Sequence, residues 1–181
     1  MGRWITKNGH HIWVDEDTTI ISQHSGDEIT TKMALESWAK NSTGIKAASQ
    51  GEKYTGALFG KVAMNDEAKA QLITQFVKGH KMDKPIYRGI KEVSEKDYKK
   101  YTTVGSEVSE KGLASWSLDK GTAVGRGANG ITFVKDATTT NANALGNRVG
   151  TDIESEVIVL DHKAKVTKVE KTKHTTFVYL K

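Results

Sequence analysis

The order in which local structure is encoded constrains this chain most. Two segments of helical period come early, and β-prone runs crowd the second half. "LASWS", "ITFV", "ESEVIVL", "AKVTKV" and "TFVYL" follow one another from Gly112 onward, separated by turn-forming residues. Helices first and strands afterwards predict an α+β architecture rather than alternating βαβ units. The first helix is expected from about Thr30 to Asn41 and the second from Asp66 to Lys78. In the second, Asn65 offers a cap, Leu72, Ile73, Phe76 and Val77 form an apolar stripe, and Gly79 stands where a helix ends. Ahead of them, "RWITKNGHHIWV" places Asn8-Gly9 between two β-prone runs, the signal for a tight hairpin. The polar "DEDTTIISQHSGDEI" reads as a loop, and "ASQGEKYTGALFGKV" suits either a loop or a short helix. Pro85 precedes "IYRGI", a short β-prone run broken by a charge, and "SEKDYKKY" carries Ser94 and Asp97 at capping-box spacing, which predicts a short helix.

A chain of 181 residues with 36% hydrophobic content is long enough for one domain with a core. It has no cysteine, which excludes a disulfide scaffold, thiolate metal sites and a cysteine nucleophile. The net charge of +5 favours contact with anions such as phosphates, although the excess is spread along the chain. No apolar run approaches membrane length, and "MGRWITKNGHHIWVDE" has no signal-like apolar region. The expectation is a soluble, cytoplasmic protein with no membrane partner; delivery into a host cell would leave the same sequence.

Several stretches invite a chemical reading. "GRGANG", residues 125 to 130, has the G-x-G-x-x-G spacing of a dinucleotide loop, but a strand-like run follows where a helix should, and no long apolar strand leads in. It reads as a flexible loop whose backbone N–H groups and Arg126 are free to face a ligand. The histidines at 10, 11, 24, 80, 162 and 174 show no metal-ligand spacing and read as surface or loop residues. No G-x-S-x-G elbow supports a serine nucleophile. Arg88 is harder to dismiss, because an arginine inside an otherwise apolar strand must reach solvent or meet an anion. By itself, such a residue more often meets a carboxylate of the protein than a ligand phosphate. In "LASWSLDK" strand parity puts Ser115 and Ser117 on one face and Trp116 on the other. In "TDIESEVIVL" the same parity puts Glu154 and Glu156 on one face, about 7 Å apart, where like charges oppose each other's ionisation unless a cation meets them.

Taken together, "YRG", "SWS" and "ESE", in that order with a glycine-rich stretch between the second and third, resemble the arginine-serine-glutamate class of mono-ADP-ribosyltransferases. That class includes bacterial toxins and domains of phage proteins. The likeness runs from about residue 30 to the C-terminus and includes "YTG" at 54 to 56. It implies an α+β, ADP-ribosyltransferase-like fold: a helical N-terminal part followed by two packed, mainly antiparallel β-sheets around an NAD cleft. Residues 1–28 would form a hairpin and loop extension, and residues 29–181 the catalytic domain.

Carried over by motif, the resemblance makes Arg88 the contact to the NAD phosphates and Gly89 the backbone that holds the nicotinamide amide. Ser115 would position the catalytic glutamate, with Ser117 and Arg126 also lining the NAD site. Glu156 would bind the nicotinamide ribose, and Glu154 would meet the acceptor. The loop from about Asn141 to Ile153 would recognise the target. The middle residue of the serine motif, Trp116, departs from the commonest pattern, but it points to the opposite face. The implied activity is transfer of ADP-ribose from NAD to arginine side chains of a target protein with release of nicotinamide, and no metal is required. A nucleic acid or nucleotide acceptor, or a non-catalytic phage component, is the alternative.

Overall fold

The computed structural model describes residues 2–7, 9–15, 18–147, 149 and 155–181, which divide into two compact units at residues 75 and 76. In the first, strands β1 (Gly2–Lys7) and β2 (His10–Asp15) form the expected antiparallel hairpin, with Trp4 opposite Trp13. Gly9 supplies the left-handed turn at φ 78°. Asn8 of the turn signal lies outside the described residues.

The segment read as a polar loop contains a short ladder instead: β3 (Thr19–Ile21) pairs with β4 (Glu28–Thr30). Ile20 opposes the buried Ile29, and backbone bonds between Ser22 and residues 26 and 27 close the turn. Two apolar residues in register outweigh the polar composition around them.

Helix α1 (Thr31–Lys40) begins one residue after its cap, the Thr30 hydroxyl, which accepts from Met33 N–H at 3.1 Å. It buries Ala34, Leu35 and Trp38. α2 (Thr43–Ser49) lies mostly ahead of the segment that suited either state and takes in only its Ala48 and Ser49, and the remainder is an irregular loop leading to α3 (Asp66–Val77). Leu72, Ile73 and Val77 of the expected stripe are fully buried.

The second unit holds β5 (Pro85–Ile90), α4 (Glu95–Tyr101), β6 (Glu107–Ser117), α5 (Lys120–Arg126), β7 (Ile131–Asp136), β8 (Ala142–Ala144), β9 (Glu156–Lys171) and β10 (Thr176–Leu180). Hydrogen-bonded neighbours run β10-β7-β5-β6-β9-β8, and β10 pairs with β9 as well, so the path closes on itself. The β10–β7 pairing is parallel and the others are antiparallel. One link is minimal: β5 and β6 share the single pair Tyr87 and Ser117. The architecture is therefore α+β, with one six-stranded sheet whose two arms are β5-β7-β10 and β6-β9-β8. They meet at that seam and again where the C-terminal half of β9 reaches β10. Ile86, Trp116, Phe133, Val157, Val159 and Val178 fill the core of this unit. No helix among the described residues is long and apolar enough to cross a membrane.

Two differences from the sequence reading shape the site. "ESEVIVL" and "AKVTKV" are one 16-residue strand rather than two. Asp161, at φ 48°, makes a bulge within β9, and its Oδ1 accepts the Gly112 N–H at 2.8 Å, pinning an irregularity in β6. The extra residue turns His162 to the face of Val157 and Val159, so this histidine is buried, contrary to the surface position expected for it. The second difference is α5, which takes in the first two residues of the supposed glycine-rich loop, Gly125 and Arg126. Asp119 caps it by accepting from Gly121 N–H at 2.9 Å and from the Thr122 hydroxyl at 2.9 Å. Those bonds, Thr122 first, hold the Asp119 carboxyl below the usual carboxylate range.

Candidate active site

The seam between β5 and β6 is where the predicted residues collect. A cleft with about 120 Å³ of free volume is lined by Tyr87, Arg88 and Gly89 of β5, Ser115, Trp116 and Ser117 of β6, and Ala123 and Arg126 of α5. That is smaller than the roughly 300–1,000 Å³ typical of sites that engulf a whole ligand, so it suits one part of a larger molecule. It exists because two strands that pair once and then diverge leave a gap that neither backbone fills.

Gly89 sets how close the helix can come. A Cβ there would lie 2.0 Å from the carbonyl oxygen of Ala123 and 2.4 Å from the Gly127 nitrogen, so any side chain would push α5 off the sheet. Gly130 plays the same part at the far end, where a Cβ would lie 2.1 Å from the Ile90 carbonyl oxygen. Gly127 and Gly130 of "GRGANG" thus serve close packing, whereas Gly125, with open space around it, belongs with Arg126 to the last turn of α5. Arg126 remains exposed at the edge of the cleft.

Ser115 and Trp116 take opposite faces of β6, as parity requires. Trp116 enters the core, and the Ser115 hydroxyl donates to Oε1 of Glu156 at 2.5 Å across the β6–β9 pair. The half-buried Glu156 is the first residue of β9, next to Val157, which is completely buried. Ser117 is buried, and its Oγ accepts the Asp119 N–H at 3.0 Å, so it fixes the turn from β6 into α5. Strand β9 begins at Glu156. Ser155 sits at φ 67° in a turn, and Leu118 N–H donates to its carbonyl oxygen at 2.7 Å. Glu154, expected on one strand face with Glu156, lies outside the described residues. The segment expected to recognise a target is described through residue 147 and at 149. Its first part is the edge strand β8 followed by a 3-10 turn, Leu145–Asn147.

Arg88 has the partner that its strand position demanded, and it is a carboxylate of the protein: its guanidinium is ion-paired with Glu110 of β6. The two side chains are 23% and 25% exposed. Beside them lies a polar group of residues that the sequence did not single out. His162 faces Glu110 in the β6–β9 ladder, and its ring lies 5.0 Å from that of Trp116. Burial, with the positive charges of Lys135 and Arg88, pushes His162 down to about 4, against an opposing pull from Glu110. Lys135 of β7 is itself buried, which lowers its pKa. Neither Glu110 nor His162 belongs to a recognisable motif, and the bulge at Asp161 that brings His162 inward leaves no mark in the hydrophobic pattern.

No family model matches the sequence, and no curated protein matches it. Solved structures do. Over 83% of this chain and 84% of its own, the ADP-ribosyltransferase toxin Plx2a of Paenibacillus larvae superposes with a TM-score of 0.60 at 17% identity. C3stau2 of S. aureus, solved with NAD, matches over 83% and 84% with a TM-score of 0.59 at 15% identity. The Vis toxin, an ADP-ribosyltransferase from Vibrio splendidus, matches over 83% and 71% with a TM-score of 0.58 at 15% identity. The chain has the ADP-ribosyltransferase fold, as its three motifs implied.

Proposed function

We propose that this protein is an NAD-dependent mono-ADP-ribosyltransferase acting on arginine side chains, with residues 29–181 as its catalytic domain. The observation that carries the reading is the Ser115–Glu156 hydrogen bond, set beside the Arg88 and Gly89 cleft on an ADP-ribosyltransferase fold. Breaking the bond from ribose to nicotinamide passes through an oxocarbenium-like state, and a carboxylate at the sugar stabilises the charge that develops. Glu156 takes this role. Ser115 holds its oxygen in place, so that little reorganisation is needed as the charge grows. Gly89 offers backbone at the floor of a cleft sized for the nicotinamide end, and Arg88 and Arg126 attract the phosphates.

An acceptor guanidinium is protonated at neutral pH and nucleophilic only when a carboxylate orients it and takes its proton late in the reaction. Glu154 is assigned that part. Support for a guanidinium acceptor comes from the Vis enzyme, which has been solved with agmatine, itself a guanidinium.

Labelled NAD incubated with the protein and a cell extract tests the reading. Wild type should release nicotinamide and label protein. Glu154→Ala should retain NAD hydrolysis but lose transfer, and equal loss of both would refute the division of roles. Label that survives protease on nucleic acid would exclude the protein-arginine acceptor. Absence of both nicotinamide release and labelling would exclude the enzyme.

A further inference from the structure

We propose that helix α4 and the β9–β10 hairpin form a docking surface for single-stranded nucleic acid, which they hold by its phosphates and apart from the NAD cleft. The positive excess, read from the sequence as spread along the chain, is concentrated there. α4 and residues 162–181 together carry nine lysines against Glu95, Asp97 and Glu170, a net +6, whereas the whole chain carries +5, so all the other residues sum to −1. All nine lysines are exposed, and none lines the cleft. The two segments touch: the Tyr98 hydroxyl and Thr176 Oγ1 lie 2.8 Å apart, and Lys171 Nζ stands 5.7 Å from the centre of the Tyr98 ring.

Strand geometry sorts these cations onto two faces. Lys163 and Lys165 lie two residues apart on β9, about 7 Å along one face. Lys165 and Lys181 exchange both backbone hydrogen bonds, at 2.9 and 3.0 Å, so they stand side by side. Tyr179, two residues before Lys181, pairs with Lys168, whose Nζ lies 5.3 Å from the ring centre, and Lys168 therefore joins the same face. Lys171 pairs with Thr176 and belongs to the side of α4. In α4, Lys96, Lys99 and Lys100 recur at helical spacing opposite Tyr98 and Tyr101, which pack against the core. The acids on the hairpin's outer face are few: Glu170 lies 3.7 Å from Lys168, Glu107 stands opposite Lys165, and Asp136 lies near Lys181.

What such a surface can hold follows from what it lacks. Among the described residues of this unit, Val104 is the one bulky apolar side chain that is exposed. A bilayer contact needs an apolar wedge. Protein–protein interfaces are depleted in lysine and draw their energy from aromatic and arginine anchors. A nucleic-acid backbone needs neither, because release of counterions from its phosphates by lysine supplies the affinity. A ligand that meets both faces must also turn sharply around one hairpin. A single strand bends that readily, whereas duplex DNA is stiff over about 150 base pairs.

Fluorescence anisotropy of a labelled single-stranded DNA oligonucleotide of mixed sequence, titrated with the full chain at several salt concentrations and without NAD, tests the inference. About six phosphate contacts give log K against log salt a slope of about −4. Lys163→Gln/Lys165→Gln/Lys173→Gln and Lys96→Gln/Lys99→Gln/Lys100→Gln should each weaken binding about tenfold and flatten that slope by about 2. Lys32→Gln/Lys40→Gln/Lys61→Gln, which removes the same charge from the first unit, should change affinity by less than about twofold. A duplex of the same length should bind about tenfold more weakly. Absence of binding by wild type, or binding that salt does not weaken, overturns the inference. So does a loss in the first-unit variant as large as in either lysine triple, and so do duplex, polyglutamate or phosphatidylserine vesicles bound as tightly as the single strand. If a triple variant does not fold, Lys165→Gln or Lys99→Gln replaces it, each flattening the slope by about 0.7. Nicotinamide release is a separate readout, whose failure sinks the proposed function and leaves this surface standing.

Discussion

Glu110 and Glu156 stand on neighbouring strands, yet a guanidinium meets the first and a hydroxyl meets the second. A guanidinium cancels the charge of the carboxylate it binds, while a hydroxyl aims a carboxylate and leaves its charge in place. The same residue type thus meets a guanidinium at one side of a seam and a hydroxyl at the other. The difference follows from position. Glu110 lies before the irregularity in β6, on the face shared with Trp116, and Glu156 opens β9 on the face shared with Ser115.

If Glu156 stabilises the developing charge, Glu156→Gln should lower nicotinamide release by about 10³-fold, in the range for removing one group that stabilises transition-state charge. A fall no larger than that of Glu110→Gln would break the contrast. Next in size is Gly89→Ala, whose Cβ would meet the Ala123 carbonyl at 2.0 Å. Displacing α5 should cost about 1–3 kcal/mol in chemical denaturation, and NAD turnover should fall with it.

The polar group around Glu110 has its own signature in pH. His162 is depressed from 6.5 to about 4, so the unfolded chain takes up a proton that the folded state refuses. The stability this confers is complete above pH 6.5 and declines as pH falls toward 4, about 3 kcal/mol in all. His162→Gln should flatten that part of the stability profile, and an unchanged slope would show that the histidine does not titrate as described. The smallest effect should come from Ser115→Ala. Losing the hydroxyl costs aim rather than charge, so turnover should drop about tenfold with the melting temperature nearly unchanged.

Legibility in the sequence followed range. Helix α4 could be placed from its capping box and α3 from its apolar stripe, because those signals lie within one turn of the residues they organise. Ser115 and Trp116 could be read because alternation holds through the last residues of β6, beyond its irregularity. Three things were hidden. Helix α5 carries Gly121 and Gly125 in seven residues and owes its existence to the Asp119 cap and its seat on β5, so its intrinsic propensity argues against it. The bulge at Asp161 shifts parity by one residue, which is why His162 was misplaced. Glu110 became visible only when β5 and β6 were set side by side. In Arg88 the sequence announced that an anion was needed, and only the tertiary pairing could say which one.

Strand β10 lies between β7 and β9 and pairs with both, so the ring of strands closes only when residues 176–180 are in place. A ribosome delivers Arg88, Ser115 and Glu156 well before that segment, and chains emerge at only about 5–20 residues per second. Assembly of the site is therefore deferred until residues 176–180 have emerged, and until then the growing polypeptide carries Arg88, Ser115 and Glu156 without the framework that sets them against one another.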